Sequence, residues 1–321
     1  MNQEFQLSLF YEMLRIRRIE ETIGLRYKEQ KMRCPIHLSI GQEAIAVGVC
    51  TQLQKEDAVF SNHRSHAHYL AKGGNFHKMI AELYGKKTGC TKGRGGSMHL
   101  IDLEVGFQGS SPIAAGSLPI AAGFAFANQM KRSSAVCCSF FGEAATEEGV
   151  FAETLNFAAL KKLPFLFVCE NNRYAVHSPT SERQPPERNR VKIAEAHGIF
   201  ALLGDGNSIE DVYEVTKKAL DHVQTGKGPA FIEFETYRLC EHVGGRKPDL
   251  GYRTNEEITT WKERCPIKLY QEKLLKDQTL TTQALETMEA KISSEIDYSF
   301  SFAEESAFPI FDLDDEKAYA E

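Results

Sequence analysis

The middle of the chain alternates short apolar runs with longer segments of helical periodicity, and this alternation constrains the fold more than any other feature. The apolar runs have the length of strands. Parallel strands cannot be joined by a tight hairpin, so a helix between successive strands is the usual crossover in a parallel sheet. We therefore predict an α/β fold, with a parallel sheet flanked by helices. The predicted strands are residues 134–141, 165–169, 199–203 and 230–236, and the predicted helices between them are residues 148–162 and 209–224.

Three parts of the chain are predicted. Residues 1–55 form an N-terminal helical extension that packs on the core, and residues 56–265 form the core domain. Residues 266–321 form a C-terminal helical extension that ends in an acidic tail from Asp312. Within these parts we predict helices at 1–30 and 41–53, an extended segment at 57–63 and an irregular Gly/Lys-rich loop at 80–97.

Composition excludes several classes of partner and site. The 321-residue chain carries 38 Lys and Arg against 44 Asp and Glu, a formal net charge of −6, so neither a nucleic acid nor an anionic membrane is favoured as its partner. The eight cysteines form no CxxC pair, which argues against a zinc ribbon or a disulfide framework. The N-terminus lacks a signal-peptide pattern, and the longest apolar stretch is far shorter than the roughly 20 residues that span a bilayer. We therefore predict a soluble, cytoplasmic protein.

Polar side chains follow two of the predicted strands, at the points where the strands end. Gly142, Glu143 and Ala144 come after the first of them, and Asn172 and Tyr174 come after the second, with Asn172 placed 29 positions after Glu143. A strand–helix–strand crossover brings both strand ends to one edge of the sheet, where open α/β sheets bind ligands. A carboxylate, an amide oxygen and a backbone carbonyl there suit Mg²⁺ or Ca²⁺ shared with a diphosphate, and the start of the following helix would add N–H donors. An ordinary β-α-β unit with a polar exit loop would show the same pattern.

This pattern resembles the thiamine-diphosphate fingerprint, in which a GDG sequence is followed, after a spacer of about this length, by a pair of asparagines. Over nearly all of residues 5–300 the chain also resembles the alpha subunits of 2-oxoacid dehydrogenase complexes, namely pyruvate, branched-chain and acetoin dehydrogenase. The resemblance implies a thiamine-diphosphate-binding fold for residues 56–265, with thiamine diphosphate and Mg²⁺ as cofactors and Ca²⁺ as an alternative metal. The stretches that carry it are residues 62–66, 92–99, 158–160, 163–164, 170–174, 236–238 and 250–254.

The resemblance also implies roles for residues at matching positions. Arg64 matches an arginine that grips the diphosphate, and His242 matches a histidine that reaches the same group from a loop. Arg238 is expected to help order that loop. His63 stands where the family often has tyrosine, and the contact implied for it is with the aminopyrimidine ring. Ile113 lies in a stretch that is similar to the one holding the cofactor in its bent shape.

Two histidines, His66 and His242, are the candidates for catalysis. His66 matches histidines near the substrate channel, where it would assist proton transfer or capture of the lipoyl arm, and a packing role in the cofactor loop is the alternative. The cofactor-binding residues implied are His63, Arg64, Ile113, Gly142, Glu143, Ala144, Asn172, Tyr174, Arg238 and His242, and the metal ligands implied are Glu143, Asn172 and Tyr174.

The chain departs from the common fingerprint at two positions. Glu143 replaces aspartate, as in branched-chain members of the family, and Ala144 replaces the second glycine, which would be strained if the position required a positive φ. A literal GDG at 204–206 is not followed by an asparagine pair, and we interpret it as a structural turn. A zinc site is a further alternative. Its candidate ligands are His63, His66 and His68, which form an HxxHxH pattern without a clear fourth ligand.

The function implied by the resemblance is that of an alpha subunit in a heterotetrameric, pyruvate dehydrogenase-type 2-oxoacid dehydrogenase. Such a subunit binds the diphosphate and Mg²⁺ end of thiamine diphosphate and works only with a beta subunit, in an α₂β₂ assembly. The reaction implied is oxidative decarboxylation of a 2-oxo acid, with acyl transfer to a lipoyl domain. The alternatives are an acetoin dehydrogenase, a transketolase-like transfer of two carbons to a carrier protein, and a non-catalytic scaffold that has kept the fold.

Overall fold

A six-stranded sheet forms the centre of the protein in the computed structural model, which describes residues 1–245 and 250–310. In chain order the strands are β1 Ala58–Ser61, β2 Phe107–Ser110, β3 Cys137–Gly142, β4 Phe165–Asn171, β5 Tyr174–Ala175, β6 Ser178–Pro179, β7 Phe200–Asp205 and β8 Ala230–Glu235. The sheet order is β2-β1-β3-β4-β8-β7, and every neighbouring pair in it is parallel. The short strands β5 and β6 pair separately as an antiparallel hairpin. The predicted α/β class and parallel sheet are confirmed.

Helices connect the strands at the predicted places. The four predicted strands are β3, β4, β7 and β8, and the extended segment at 57–63 contains β1. Strand β2 is absent from the prediction because its sequence, FQGS, has a single buried apolar residue, and its pairing with the edge of β1 supplies the strand conformation. The helices are α1 Gln3–Arg26, α2 Glu43–Cys50, α3 His66–Ala71, α4 Phe76–Leu83, α5 Ser117–Met130, α6 Gly149–Lys161, α7 Thr180–Arg183, α8 Arg190–Ala196, α9 Ile209–Gln224, α10 Asn255–Glu263, α11 Pro266–Lys276 and α12 Thr282–Glu305.

Both faces of the sheet are buried, which explains why the central strands are apolar at successive positions rather than at alternate ones. In β3, Cys138 and Phe140 join one hydrophobic cluster, while Cys137 and Phe141 join a second cluster on the opposite face. Successive residues of a strand point to opposite faces, so this division follows directly from the strand geometry. Apolar residues of α1, α2, α4, α9 and α12 cover the first face, and those of α5 and α6 cover the second.

The two predicted extensions pack on the same core as the sheet. Leu9 in α1 and Ile292 in α12 belong to the hydrophobic cluster that includes Phe140 of β3. Between α1 and α12, Arg15 forms an ion pair with Glu295 at 2.6 Å. The division into residues 1–55, 56–265 and 266–321 stays a prediction, and the acidic tail from Asp312 lies outside the described residues.

Six of the eight cysteines are buried, and the other two, Cys34 and Cys90, are partly buried. All eight are free, and burial raises the pKa values of Cys137, Cys138 and Cys169 well above the usual thiol range, so these three thiols stay protonated. No helix within residues 1–245 and 250–310 combines the length and apolar character that a membrane crossing requires.

One buried carboxylate organises the Gly-rich loop that follows α4. Glu82, which is 1% exposed, accepts hydrogen bonds from the backbone N–H groups of Thr91, Gly93, Gly95 and Gly96, at 2.8–3.0 Å. A Cβ at Gly95 would lie 2.6 Å from the carbonyl oxygen of His99, so the loop packs too closely for a side chain there. The irregular loop predicted at 80–97 begins only after Leu83, because residues 80–83 complete the last turn of α4, and the prediction was wrong for those four residues. The rest of the loop has a fixed shape that is set by a single acidic side chain.

We expect Glu82→Gln to lower the free energy of unfolding by about 2 kcal/mol. The amide keeps one acceptor oxygen, and its NH₂ group would face backbone N–H donors with which it cannot form hydrogen bonds. Urea denaturation followed by circular dichroism measures this change, and limited proteolysis should show faster cleavage within the loop. Glu104→Gln is the matched control, since Glu104 is an exposed carboxylate. Equal stability of the two variants would contradict the role assigned to Glu82.

Candidate functional site

A cavity of about 300 Å³ opens at the edge of the sheet where the parallel strands end. Residues that follow β1, β3 and β4 line it, together with His242, which lies beyond β8. Nine of the eleven predicted site residues line this cavity, and only Arg238 and His66 do not. The nine that do are His63, Arg64, Ile113, Gly142, Glu143, Ala144, Asn172, Tyr174 and His242.

Two arginines make one part of the site, the cationic end, positively charged: Arg64 lines the cavity, and Arg238 lies behind it, near enough to lower the pKa of Arg64. The side chains of Arg64 and Arg238 are 4% and 1% exposed, and neither forms a salt bridge with a described residue. Arg64 donates to the Leu38 carbonyl at 2.5 Å, and Arg238 donates to the Val176 carbonyl at 2.8 Å. Burial, with a smaller contribution from Arg238, lowers the pKa of Arg64 to about 10. Nη1 of Arg238 is buried without a hydrogen-bond partner in the described chain, so the site has an unused donor of the kind that an anion satisfies.

Three histidines stand beside these arginines. The ring centroids of His37, His63 and His242 are 4.7–5.3 Å apart, and each pair meets edge to face. Burial first, and then the charge of Arg64, lowers the pKa of His37 to about 3 and the pKa values of His63 and His242 to about 2. All three rings are therefore neutral at pH 7. Nδ1 of His37 is a further buried atom without a partner among the described residues.

The three-histidine cluster has the dimensions of a metal site, but its surroundings favour an anion. The candidate ligand atoms of His37, His63 and His242 lie within 4.8 Å of one another. However, Nη2 of Arg64 lies 3.4 Å from Nδ1 of His242, so a metal cation would meet a guanidinium charge at close range. Neutral imidazoles and unpaired guanidinium groups together form a set of donors for a phosphate or diphosphate.

The zinc alternative at His63, His66 and His68 is wrong because their side chains diverge. Nδ1 of His68 is 2.8 Å from the Ser61 hydroxyl, and its Nε2 is 3.2 Å from a carboxylate oxygen of Glu170. His63 faces the cavity, whereas His66 and His68 are buried outside it.

His66 is held in a fully buried chain of hydrogen bonds. Its Nδ1 is 2.6 Å from Oε1 of Glu20, and its Nε2 is 2.7 Å from the hydroxyl of Ser97 in the Gly-rich loop. All three side chains have no exposed surface. Because both ring nitrogens are engaged and the ring does not line the cavity, the geometry disagrees with a direct catalytic role for His66 and favours the packing alternative.

Oxygen donors also line the cavity, and we call the part formed by Glu143, Asn172 and Tyr174 the oxygen-ligand end. Glu143 is 1% exposed, and Oδ1 of Asn172 accepts from the Tyr174 backbone N–H at 3.3 Å. The Asn172 amide also donates to the Gln42 side chain at 3.1 Å. Burial raises the pKa of Glu143, an effect that the charge of Arg183 opposes. Oxygen donors of this kind suit a hard divalent cation such as Mg²⁺.

The departures from the fingerprint cause no backbone strain. Ala144 is not among the residues with positive φ, so the strain considered for an alanine at this position is absent. A 3₁₀ turn spans Glu143–Glu147, and helix α6 begins only at Gly149, so the N–H donors of that helix start later than the motif alone suggests. The literal GDG at 204–206 ends the edge strand β7 and does not line the cavity, in agreement with a structural turn.

Sequence reasoning missed three residues that the structure brings to the site. His37 and Gln42 come from the segment before α2, which the sequence analysis treats as part of a helical extension. Arg183 belongs to α7 and forms an ion pair with Glu143 at 2.6 Å. His37 and Gln42 are polar residues next to and at the start of the predicted helix at 41–53, and this position was the signal that could have found them. The spacing of the strands and helices gives no indication of Arg183.

Comparison with known proteins identifies relatives along nearly the whole chain. The family described as "Dehydrogenase E1 component" matches residues 11–310. The alpha subunit of acetoin:2,6-dichlorophenolindophenol oxidoreductase from Bacillus subtilis is 34% identical over 310 residues, which cover 96% of this chain and 92% of the relative. The pyruvate dehydrogenase E1 component subunit alpha from Rickettsia felis is 34% identical over 307 residues, with 96% and 93% covered. The mitochondrial pyruvate dehydrogenase E1 component subunit alpha from Dictyostelium discoideum is 33% identical over 297 residues, with 92% and 77% covered.

The histidine cluster makes the stability of the chain depend on pH. Since folding lowers the pKa of each of these rings, the unfolded chain binds more protons below about pH 6.5, and the free energy of unfolding falls as the pH falls. We expect His63→Asn to reduce the loss of unfolding free energy between pH 7 and pH 5 by about 1–2 kcal/mol. Urea denaturation at both pH values measures the difference, and His99→Asn, which removes an exposed ring, serves as the control. An unchanged pH dependence in His63→Asn would contradict the prediction.

Proposed function

The chain belongs to the dehydrogenase E1 component family, and from this premise we propose that it is the alpha subunit of a heterotetrameric 2-oxoacid dehydrogenase of the pyruvate dehydrogenase type. We propose that it binds the diphosphate and Mg²⁺ end of thiamine diphosphate, with Ca²⁺ as an alternative metal. The observation that carries this proposal is the composition of the site, where two buried guanidinium groups without a carboxylate partner among the described residues occur together with hard oxygen donors. A bacterial alpha subunit of this kind would be cytoplasmic.

The cationic end fits a diphosphate. Arg64 and Arg238 are buried without a described carboxylate, and Arg238 and His37 each keep a nitrogen with no partner in the described chain. A diphosphate would supply the missing negative charge and accept from these donors. His63 and His242, both neutral, can each donate one ring N–H without a change in protonation.

The oxygen-ligand end fits Mg²⁺. We propose that the Glu143 carboxylate, the Asn172 amide oxygen and the Tyr174 backbone carbonyl hold the metal, with the remaining positions filled by diphosphate oxygens and water. Asn172 is already fixed for this role, because its amide nitrogen donates to Gln42 at 3.1 Å and so the identity of its oxygen is set by the hydrogen-bond network.

The protein contributes position and electrostatics to the reaction. When bound, thiamine diphosphate supplies the carbanion chemistry that decarboxylation of a 2-oxo acid requires. The Ile113 side chain, 71% exposed on the cavity wall, offers apolar surface against which the cofactor would rest in its bent shape. His242 stays neutral beside Arg64, so its ring N–H would be available as a donor to a bound diphosphate. We propose that the acyl product passes to a lipoyl domain.

A beta subunit is needed because the cavity lacks a free carboxylate among its described residues. Activation of the aminopyrimidine ring requires a carboxylate hydrogen-bonded to it. The two described carboxylates that line the cavity are both engaged, Glu143 by Arg183 at 2.6 Å and Glu170 by His68 at 3.2 Å. We propose that the activating glutamate comes from the beta subunit of an α₂β₂ assembly.

Acetoin cleavage is the second candidate, because the Bacillus subtilis acetoin relative is as similar to this chain as the Rickettsia pyruvate dehydrogenase subunit, at 34% identity each. Transketolase-like transfer of two carbons to a carrier protein is a more distant form of the same chemistry. The three reactions differ in whether carbon dioxide is released and in the donor consumed.

We expect activity only when the chain is co-expressed with its beta subunit. The purified complex should reduce a dye or release carbon dioxide from a 2-oxo acid in the presence of thiamine diphosphate and Mg²⁺, and the chain alone should do neither. Acetoin-dependent dye reduction without carbon dioxide release would favour the second candidate, and ketose-dependent transfer would favour the third. Full activity of the chain alone would overturn the proposed division of the site.

We expect Arg64→Met to weaken thiamine diphosphate binding by about 10- to 100-fold, because it removes charge-assisted hydrogen bonds that have no substitute in the cavity. Calorimetry with the complex measures the affinity, and thermal denaturation checks that the variant is folded. Lys217→Met is the control, because Lys217 is exposed on α9, outside the cavity lining, and forms a surface ion pair with Asp221. Unchanged affinity in Arg64→Met would contradict the assignment of the cationic end to the diphosphate.

A further inference from the structure

Among the described residues, only Arg183 forms an ion pair with Glu143. Its Nη2 lies 2.6 Å from Oε1 of Glu143, and its Nη1 pairs with Glu147 at the end of the same 3₁₀ turn. The Arg183 side chain is 14% exposed and that of Glu143 is 2% exposed, so water screens their attraction little. The acidic group of the oxygen-ligand end is therefore already paired with a cation.

The segment that carries Arg183 is anchored to both strand exits of the site. It continues from Tyr174 through the β5–β6 hairpin into α7, and the Thr180 N–H donates to the Arg173 carbonyl at 2.9 Å. Farther along, Arg188 donates to the Thr146 carbonyl at 2.5 Å. Arg183 thus links the loop after β4 to the turn after β3, which are the two places that supply the oxygen ligands.

The charges of this end decide when a divalent cation can bind. The three proposed ligands contain one carboxylate, one amide and one backbone carbonyl, so their formal charge is −1. Arg183 shares its single positive charge between Glu143 and Glu147, so the pairing offsets part of the charge that an incoming metal would meet at Glu143. A carboxylate engaged by a guanidinium group binds Mg²⁺ more weakly than a free one, because Mg²⁺ gives up its hydration water reluctantly and must also compete with the guanidinium cation. A bound diphosphate would restore a negative charge next to the same ligands.

We propose that Arg183 is an internal counter-ion that keeps divalent cations off Glu143 until a diphosphate is present, and so makes metal binding conditional on the cofactor. This inference rests on the proposed function, because it assumes that the metal and the diphosphate share the cavity. It gives Arg183 a role in selecting the species that binds and no direct contact with the reacting groups, since Arg183 does not line the cavity.

The alternative role for Arg183 is to orient Glu143 for the metal. The two roles predict opposite results when Arg183 is removed. A counter-ion competes with the metal, so its loss strengthens metal binding in the absence of cofactor, whereas an orienting group helps the metal, so its loss weakens that binding.

The test measures Mn²⁺ binding to the complex by electron paramagnetic resonance, with and without thiamine diphosphate. We expect Arg183→Met to increase the Mn²⁺ affinity without cofactor by at least about tenfold, given the size of a charge interaction at this distance. Arg183→Lys, which keeps the charge, should stay close to the wild type. Arg188→Met is the matched control, because Arg188 contacts the same turn through a backbone carbonyl.

Adding Glu143→Gln to Arg183→Met should abolish the gain, which would locate the metal at Glu143. If Arg183→Met does not fold, Arg183→Gln replaces it, since glutamine removes the charge and keeps a donor. An unchanged or lower Mn²⁺ affinity without cofactor in the folded variant would overturn the inference. Absence of any thiamine-diphosphate-dependent Mn²⁺ binding in the wild-type complex would instead contradict the proposed function, so the two failures are distinguishable.

Discussion

The main constraint on the structure is the burial of two arginines, Arg64 and Arg238, without a carboxylate partner in the described chain. Burial of an unpaired cation is unfavourable, and the lowered pKa of Arg64 reflects both the burial and the nearby charge of Arg238. Packing elsewhere must hold these side chains in place, because their own charges repel each other. A bound anion relieves this repulsion, so a ligand that supplies negative charge stabilises the fold as it fills the site.

The parallel sheet gives this charge a defined arrangement. Strands β1, β3, β4 and β8 lie side by side, and each continues into a polar segment at the same edge. Arg64 follows β1, which is the neighbour of β3, and Arg238 follows β8, which is the neighbour of β4. Glu143 and Asn172 follow the inner strands β3 and β4. The strand order therefore brings cationic donors and oxygen donors to the same edge of the sheet, where a polyanion with its metal could meet both sets at once.

The sequence predicts the central part of this arrangement because the relevant signals are local. Apolar runs locate β3 and β4, and the crossover rule then brings Glu143 and Asn172 together. Prediction from the sequence fails for residues whose position depends on distant segments. His37 and Gln42 line the cavity although they belong to the segment before α2. The His66 ring is held outside the cavity by a hydrogen bond to Glu20, which is 46 residues away. Local sequence patterns contain no information on such contacts.

The charges of the cavity also suggest an order in which its ligands bind. A free divalent cation would meet Glu143 already paired with Arg183, near guanidinium groups that have no carboxylate partner among the described residues, so it would gain little from entering alone. A diphosphate would meet those guanidinium groups favourably, and under the proposed function its oxygens would complete the ligand set for the metal. The anion, alone or already bound to its metal, is therefore the species that the cavity selects. This order follows from the pairing of Arg183 with Glu143, and it would not hold in a site whose carboxylate was free.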